Sequence, residues 1–342
     1  MASCATPTRS GSAPRAPPTR LIARERVAPT EEGPRSTLNR GYTYTERIDA
    51  RGAGRPLLEH LAWRYPHGSA AQWRERIAAG QVRVNGDPAT PDTALASGDT
   101  VTWARPPWVE PAAPLSYEIL YEDAGFVAVA KPIGLPTLPG GGYLEHTLLA
   151  LVRQRFPAAS PLHRLDRGAS GVVLFTRKAA AARAIALAWR EGRVRKVYRA
   201  LVAGSPTEDS CLIEMPIGRV PHPMLGAVYA AHPAGLAARS ELCVLERREG
   251  ESLVEVGIAT GRPHQIRIHL AAAGHPLVGE PLYAAGGGLR EDAARPGAPG
   301  YLLHACRLAF AHPETGEPVD IRCPPPRALL SATERGARGR AG

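Results

Sequence analysis

The residues with chemistry to offer lie mid-chain, in Pro161-Leu162-His163-Arg164-Leu165-Asp166-Arg167-Gly168-Ala169-Ser170-Gly171. One carboxylate, Asp166, stands between Arg164 and Arg167, and an apolar run, Val172-Val173-Leu174-Phe175, follows. The flanking guanidinium groups favour the ionised carboxylate and would hold phosphates nearby. Such a carboxylate can act as nucleophile or base without a metal. A Gly/Ser turn entering a buried strand presents one side chain at the rim of a sheet. Alone, the same tripeptide also fits an ordinary turn-capping aspartate paired with its arginines.

Other groupings offer less. Gly168-Ala169-Ser170-Gly171 lacks the residue between Ser and the last Gly that a G-x-S-x-G nucleophile elbow requires. His264 and His269 stand at i, i+5, on different sides of a helix, unlike the i, i+4 pair of a zinc-binding helix. Pro139-Gly140-Gly141-Gly142 has no Lys-Ser/Thr and is not a P-loop. Cys4, Cys211, Cys243, Cys306 and Cys323 are dispersed without a C-x-x-C pair, so neither a zinc knuckle nor a disulfide framework is expected. The expectation is no cofactor and no metal.

The bulk properties bound the rest. A chain of 342 residues is long enough for a catalytic domain and a small accessory one. Its 42 Lys+Arg outnumber 32 Asp+Glu, a net +10 that points to a polyanionic partner. Residues 1–40 hold seven Arg and three Glu, so the remainder stays basic without them. No apolar run approaches the ~18 residues of a membrane span, and no apolar signal core follows the N-terminal arginines. A cytoplasmic monomer with no membrane partner is expected. Lys131, Lys178 and Lys196 are the only lysines, which draws interest to those positions.

Residues 1–40, rich in Pro, Ser, Thr, Ala and Arg without periodicity, read as a disordered basic arm. Residues 41–105 read as a compact unit. Leu57, Leu58, Leu61 and Ala62 have helical spacing, closed by Pro66. Ser69-Ala70-Ala71-Gln72 is a capping box opening a second helix, with Ile77 and Ala78 inward and Gly80 ending it. Val82-Arg83-Val84 alternates like a strand, Asn85-Gly86 is a hairpin turn, and Thr100–Trp103 is the next strand. The prolines of 106–114 mark a linker. From 115 to 327 strands dominate, including 126–130, 172–176, 198–202, 239–245 and 253–259. Helices are expected near 146–155 and 178–190. The fold class is therefore α+β, a mixed and mainly antiparallel sheet with helices packed on it. Residues 328–342 read as a basic, frayed tail.

Four segments of the larger domain, in order, resemble the RluA-type pseudouridine synthases. They are Tyr121-Glu122-Asp123 leading to Lys131-Pro132, the stretch His163–Gly171, Lys196-Val197-Tyr198, and Gly261-Arg262-Pro263-His264-Gln265-Ile266-Arg267 continuing to Gly279-Glu280. The order helix, helix, G-x-V-x-V-N-G, G-D-x-V in residues 41–105 is similar to the S4 RNA-binding domain. The resemblance implies an isomerase that converts uridines of structured RNA to pseudouridine. Ribosomal large-subunit RNA is the first expected substrate and transfer RNA the second. It makes Asp166 the catalytic carboxylate, Arg267 its partner and Tyr198 the active-site tyrosine. His163, Arg164, Lys196, Arg262, His264 and Gln265 become substrate-binding candidates, with Arg164 filling the place vacated by a flipped base. Arg74, Arg76 and Arg83 become the basic RNA-binding face of the S4-like unit. Ala169 stands where the family usually has Thr, and Glu280 where it has Asp; neither is expected to touch the residues that carry the chemistry. Two rival readings are a non-catalytic RNA-binding or ribosome-assembly factor, and a hydrolase using Ser170 or His264.

Overall fold

The computed structural model describes residues 25–28, 38–66, 68–222, 226–291 and 299–339. In the strands Phe126–Lys131 and Ala169–Thr176 the side chains alternate between two cores. Val127, Val129, Val173 and Phe175 join the cluster of the helix Leu148–Arg155. Phe126, Ala128, Val172 and Leu174 join that of the helix Ala179–Arg190. Both sheet faces are covered, so these strands read as unbroken apolar runs. Each large apolar side chain buried this way contributes about 1.5–3 kcal/mol.

The sheet has eleven strands. From one edge they run Glu25–Val27, Tyr117–Glu122, Phe126–Lys131, Ala169–Thr176, Leu303–Ala311, Arg195–Ala203, Glu251–Ile258, Ser240–Arg248 and Ser210–Ile213. Ser160–Pro161 and Pro318–Arg322 pair alongside. The pairings are antiparallel except one, a short parallel contact between Ala169–Gly171 and Leu303–Ala305. There Gly171, at φ +111, approaches so closely that a Cβ would lie 2.2 Å from the Ala305 carbonyl oxygen. Only glycine fits, and this crossing fixes the loop that carries Asp166.

The N-terminal unit is a separate four-stranded antiparallel sheet, in the order Tyr42–Arg47, Thr100–Arg105, Val82–Val84, Asp87–Pro88. Two helices, Leu57–Arg64 and Ala70–Ala78, cover it with Leu57, Leu61, Trp73 and Ile77. The capping box forms as expected: Ser69 Oγ accepts from the Gln72 amide at 3.2 Å, and Gln72 Oε1 from the Ser69 amide at 2.9 Å. Ala78, expected inward, is exposed, and Trp73 fills that face instead.

Several expectations are corrected. Glu25–Val27, placed in a disordered arm, adds an edge strand to Tyr117–Glu122; residues 1–24 and 29–37 lie outside the described residues. The linker 106–114 is docked rather than loose. Its buried Glu110 accepts from the amides of Leu144, Glu145 and His146 and from Asn39 Nδ2, all within 2.9 Å. The strand of the central motif begins at Ala169 rather than Val172. The supposed tail forms the helix Ala332–Gly339, whose Glu334 pairs with Arg199 at 2.6 Å.

Candidate active site

Asp166 sits in the turn before the strand Ala169–Thr176, closed by the Ala169 amide donating to the Asp166 carbonyl at 3.0 Å. The preceding loop is held from behind. Thr137 Oγ1 donates to the Leu165 carbonyl at 2.7 Å, and the Gly134 amide donates to the Arg167 carbonyl at 2.8 Å. Lys131, 1% exposed, shapes that support by donating to the carbonyls of Pro132 and Leu135 at 2.9 and 2.7 Å. Burial pushes its ammonium down to about 7, against the pull of Asp166.

The carboxylate meets three groups from distant parts of the chain. Arg267 Nη1 donates to Asp166 Oδ2 at 3.2 Å from the helix Gln265–Ala272. Tyr301 OH lies 3.4 Å from the same oxygen, and its ring stacks on the Arg267 guanidinium at 4.5 Å. His264 Nε2 also lies 3.4 Å away. Burial acts to raise the Asp166 pKa, but the charges of His264 when protonated, Arg267 and Arg164 outweigh it and hold the carboxyl below its usual range. Burial acts against the Arg267 cation too, yet Glu280, Tyr301 and Asp166 raise its pKa further.

Glu280 overturns one expectation. It grips the buried Arg267 with both oxygens, accepting from Nε at 2.9 Å and Nη2 at 2.5 Å. The bidentate pair leaves Nη1 pointing at Asp166. The position that departs from the family's Asp therefore contacts Arg267, the residue that holds Asp166.

His264 occupies the left-handed region at φ 55 as the residue before that helix, a strained position for a non-glycine residue. Tyr283 OH donates to the Tyr229 carbonyl at 2.8 Å, so the 2.7 Å contact with His264 Nδ1 has the imidazole as donor. Nε2 then faces Asp166. Burial lowers the His264 pKa, with Asp166 acting against it.

Asp166, His264 and Arg267 open on a cleft of about 1090 Å³ that Tyr198, Arg164, Lys196, Arg262 and His163 also line. Tyr198 is 8% exposed, and burial raises its hydroxyl pKa above the usual phenol range. Arg164 is exposed at the rim, free to reach into a bound chain. Arg262 is tied at the rim by Nε donating to the Ala237 carbonyl at 3.0 Å. Lys196 donates to the Thr260 carbonyl at 3.1 Å.

Other candidates have structural partners. His163 Nε2 accepts from the Leu174 amide at 3.0 Å, and burial drops its pKa to about 3, so it is a neutral turn histidine at the cleft wall. Gln265 spends its side chain on Thr260, the Arg262 amide, the Arg239 carbonyl and Ser240. These bonds hold the loop that carries Arg262 and His264, and the residue also lines the cleft. Ser170 Oγ bonds His304 Nδ1 at 2.9 Å, and His304 Nε2 donates to the Cys323 carbonyl at 3.1 Å. Strand alternation turns Ser170 away from the cleft that Ala169 lines, which removes the geometric support for a Ser170 hydrolase.

In the N-terminal unit Arg74 and Arg83 are exposed. Arg76 is not part of that face. Its guanidinium lies between the rings of Trp73 and Trp103, at 4.4 and 4.6 Å from their centroids.

Sequence motifs left out Tyr301, Tyr283 and the grip of Glu280, and they included Lys131 without giving it a role. Tyr301 supports one prediction. Tyr301→Phe keeps the ring on Arg267 and removes the hydroxyl at Asp166, so the single-turnover rate should fall about tenfold with RNA affinity unchanged. An unchanged rate would reduce Tyr301 to packing.

The fold and cleft define a class: an α+β domain presenting one ionised carboxylate, held by a clamped arginine, beside a buried tyrosine. Residues 125–272 match the RNA pseudouridylate synthase family. The chain is 40% identical to an uncharacterized RNA pseudouridine synthase of Synechocystis over 80% of its length and 96% of that protein. It is 34% identical to the ribosomal large subunit pseudouridine synthase D of Neisseria meningitidis, over 80% of this chain and 76% of that one. The solved structure of human RNA pseudouridylate synthase domain containing 1 aligns with a TM-score of 0.51 at 28% identity, covering 68% of this chain and 98% of that one. The chain belongs to the RluA-type pseudouridine synthase family, and it is an RNA pseudouridine synthase, an isomerase.

Proposed function

We propose that this synthase isomerises specific uridines in structured RNA, with large-subunit ribosomal RNA as its substrate and Asp166 as the catalytic carboxylate. The observation that carries the roles is the half-buried Asp166 carboxylate, kept ionised at 3.2 Å from a clamped Arg267 in a cleft shared with Tyr198. Arg267 orients the carboxylate and offsets the desolvation that binding adds. Tyr198 offers a ring for the uracil to stack on and a hydroxyl near C5 once the new C–C bond has formed. Arg164, at the rim, replaces the flipped base in its stack. The ribosomal assignment draws support from the similarity to the Neisseria large-subunit enzyme. The N-terminal unit serves as an S4-like RNA-binding domain, an assignment supported by its two helices, the second opened by a capping box, on a small sheet.

The test maps pseudouridine by adduct-dependent reverse-transcription stops, after incubating unmodified ribosomal and transfer RNA separately with the protein. Stops confined to ribosomal RNA are expected. Stops confined to transfer RNA would replace the substrate assignment.

The accessory unit yields a separate prediction. Replacing Arg74 and Arg83 together with Ala should lower the slope of log affinity against log salt by up to about 2, as two phosphate contacts vanish. An unchanged slope would remove the N-terminal unit from the interface.

A further inference from the structure

The cleft is larger than the roughly 300–1,000 Å³ of a small-molecule site, and it continues past Tyr198 to Lys196, Trp189 and Arg190. Lys196 and Tyr198 are two residues apart on the strand Arg195–Ala203, so both side chains take the same face. The intervening distance is about 6.6 Å. Lys196 is 5% exposed, and among the described residues its ammonium makes one hydrogen bond, to the neutral Thr260 carbonyl. Its other two donors have no hydrogen-bond acceptor among the described residues. A buried ammonium with no carboxylate is costly unless a ligand supplies the counter-charge. Asp166 is the one carboxylate among the described cleft-lining residues, and it is already engaged by Arg267.

The surroundings hold Lys196 in place. Its ammonium lies 5.4 Å from the centre of the Trp189 ring, which packs at 5.2 Å against the neutral His163. On the open side Gly261 carries no side chain, and a Cβ there would come to 3.6 Å from Lys196 Nζ. Burial lowers the Lys196 pKa to about 8, so the group is charged near neutrality.

We propose that Lys196, seated on Trp189 with Arg190 at the rim, is a subsite for the RNA phosphodiester adjacent to the target uridine. It rests on the reading above, since it takes the Asp166 end of the cleft as the place of the uridine. The cleft thus takes a nucleotide step rather than an isolated nucleoside, and Lys196 sets the register of the chain relative to Asp166.

The test is an equilibrium titration of the full-length protein with a hairpin RNA whose loop carries a single uridine. Matched hairpins carry one uncharged methylphosphonate linkage on either side of that uridine. Lys196→Ala should weaken binding at least tenfold and reduce the salt slope by about 1. One of the two methylphosphonates should weaken wild-type binding by a similar factor and leave Lys196→Ala unaffected. Lys196→Arg should recover most of the affinity, as should Trp189→Phe relative to Trp189→Ala, which guards against a misfolded alanine variant. Tolerance of both methylphosphonates, or an effect that adds to that of Lys196→Ala, would overturn the subsite. Conversion of the uridine is scored separately. Binding as described without product would count against the catalytic reading on that RNA and leave the subsite standing.

Discussion

Asp166→Asn is expected to abolish pseudouridine formation while leaving RNA affinity within about twofold. The carboxamide has nearly the shape of the carboxylate and can still accept from Arg267, so the turn and the clamp persist. It has neither the charge nor the basicity for nucleophilic or base chemistry. Each tenfold loss corresponds to 1.36 kcal/mol of barrier, so a residual rate below one ten-thousandth would mean at least about 5 kcal/mol withdrawn. Retention of more than a tenth of the rate would move the catalytic role elsewhere in the cleft. Acid titration gives an independent sign. The folded-state pKa of Asp166 lies below its ordinary value, so the carboxylate is ionised across the neutral range. Wild-type activity should then show no carboxylate limb near neutrality, and fall only as pH drops through that depressed value. The same shift contributes stability above the unfolded pKa of about 3.9, and that contribution disappears as pH falls through the lower folded value. The melting difference between wild type and Asp166→Asn should therefore shrink on acidification.

What the sequence makes legible at this site is local. Asp166, Arg267 and Tyr198 are found because each stands in a short run of distinctive neighbours, and the structure brings all three to one cleft. The supporting contacts are not local. Tyr301 reaches Asp166 across 135 positions, and no spacing rule joins them. Glu280 is only 13 positions from Arg267, yet a helix and a turn intervene, and nothing in a lone Gly-Glu pair reveals a bidentate grip. Arg76 shows the opposite failure. A basic residue on an amphipathic helix reads as solvated, but Trp73 lies at i−3 and Trp103 on the facing strand, so stacking draws the guanidinium inward. The Trp three positions earlier was a usable signal. At the level of fold, the doubly buried strands announce themselves by apolar runs. Glu25–Val27 does not, because an edge strand of three residues gains most of its stability from Tyr117–Glu122 rather than from its own pattern.

The second large effect belongs to Glu280. Arg267 is 1% exposed and its side chain is satisfied by two carboxylates, of which Glu280 makes the closer, two-pronged contact. Glu280→Ala would leave a buried guanidinium with half its partners gone, a change that costs about 3–5 kcal/mol in comparable buried pairs. Freed at Nε and Nη2, Arg267 would be drawn wholly to Asp166, and the carboxylate would lose the geometry set by a single Nη1 contact. Both stability and turnover should collapse, with the chemical-denaturation midpoint dropping clearly below wild type. Stability and chemistry separate in a second variant. Replacing the pair together, Arg267→Met with Glu280→Met, removes both charges and fills similar volume, so the denaturation midpoint should recover most of the loss. Activity should not recover, because Asp166 then lacks the cation that orients it and offsets its burial. Glu280→Asp restores the charge on a shorter arm, and should regain stability before it regains rate. A double variant that turned over RNA at the wild-type rate would show that Asp166 needs neither partner, and the clamp would be scaffolding alone.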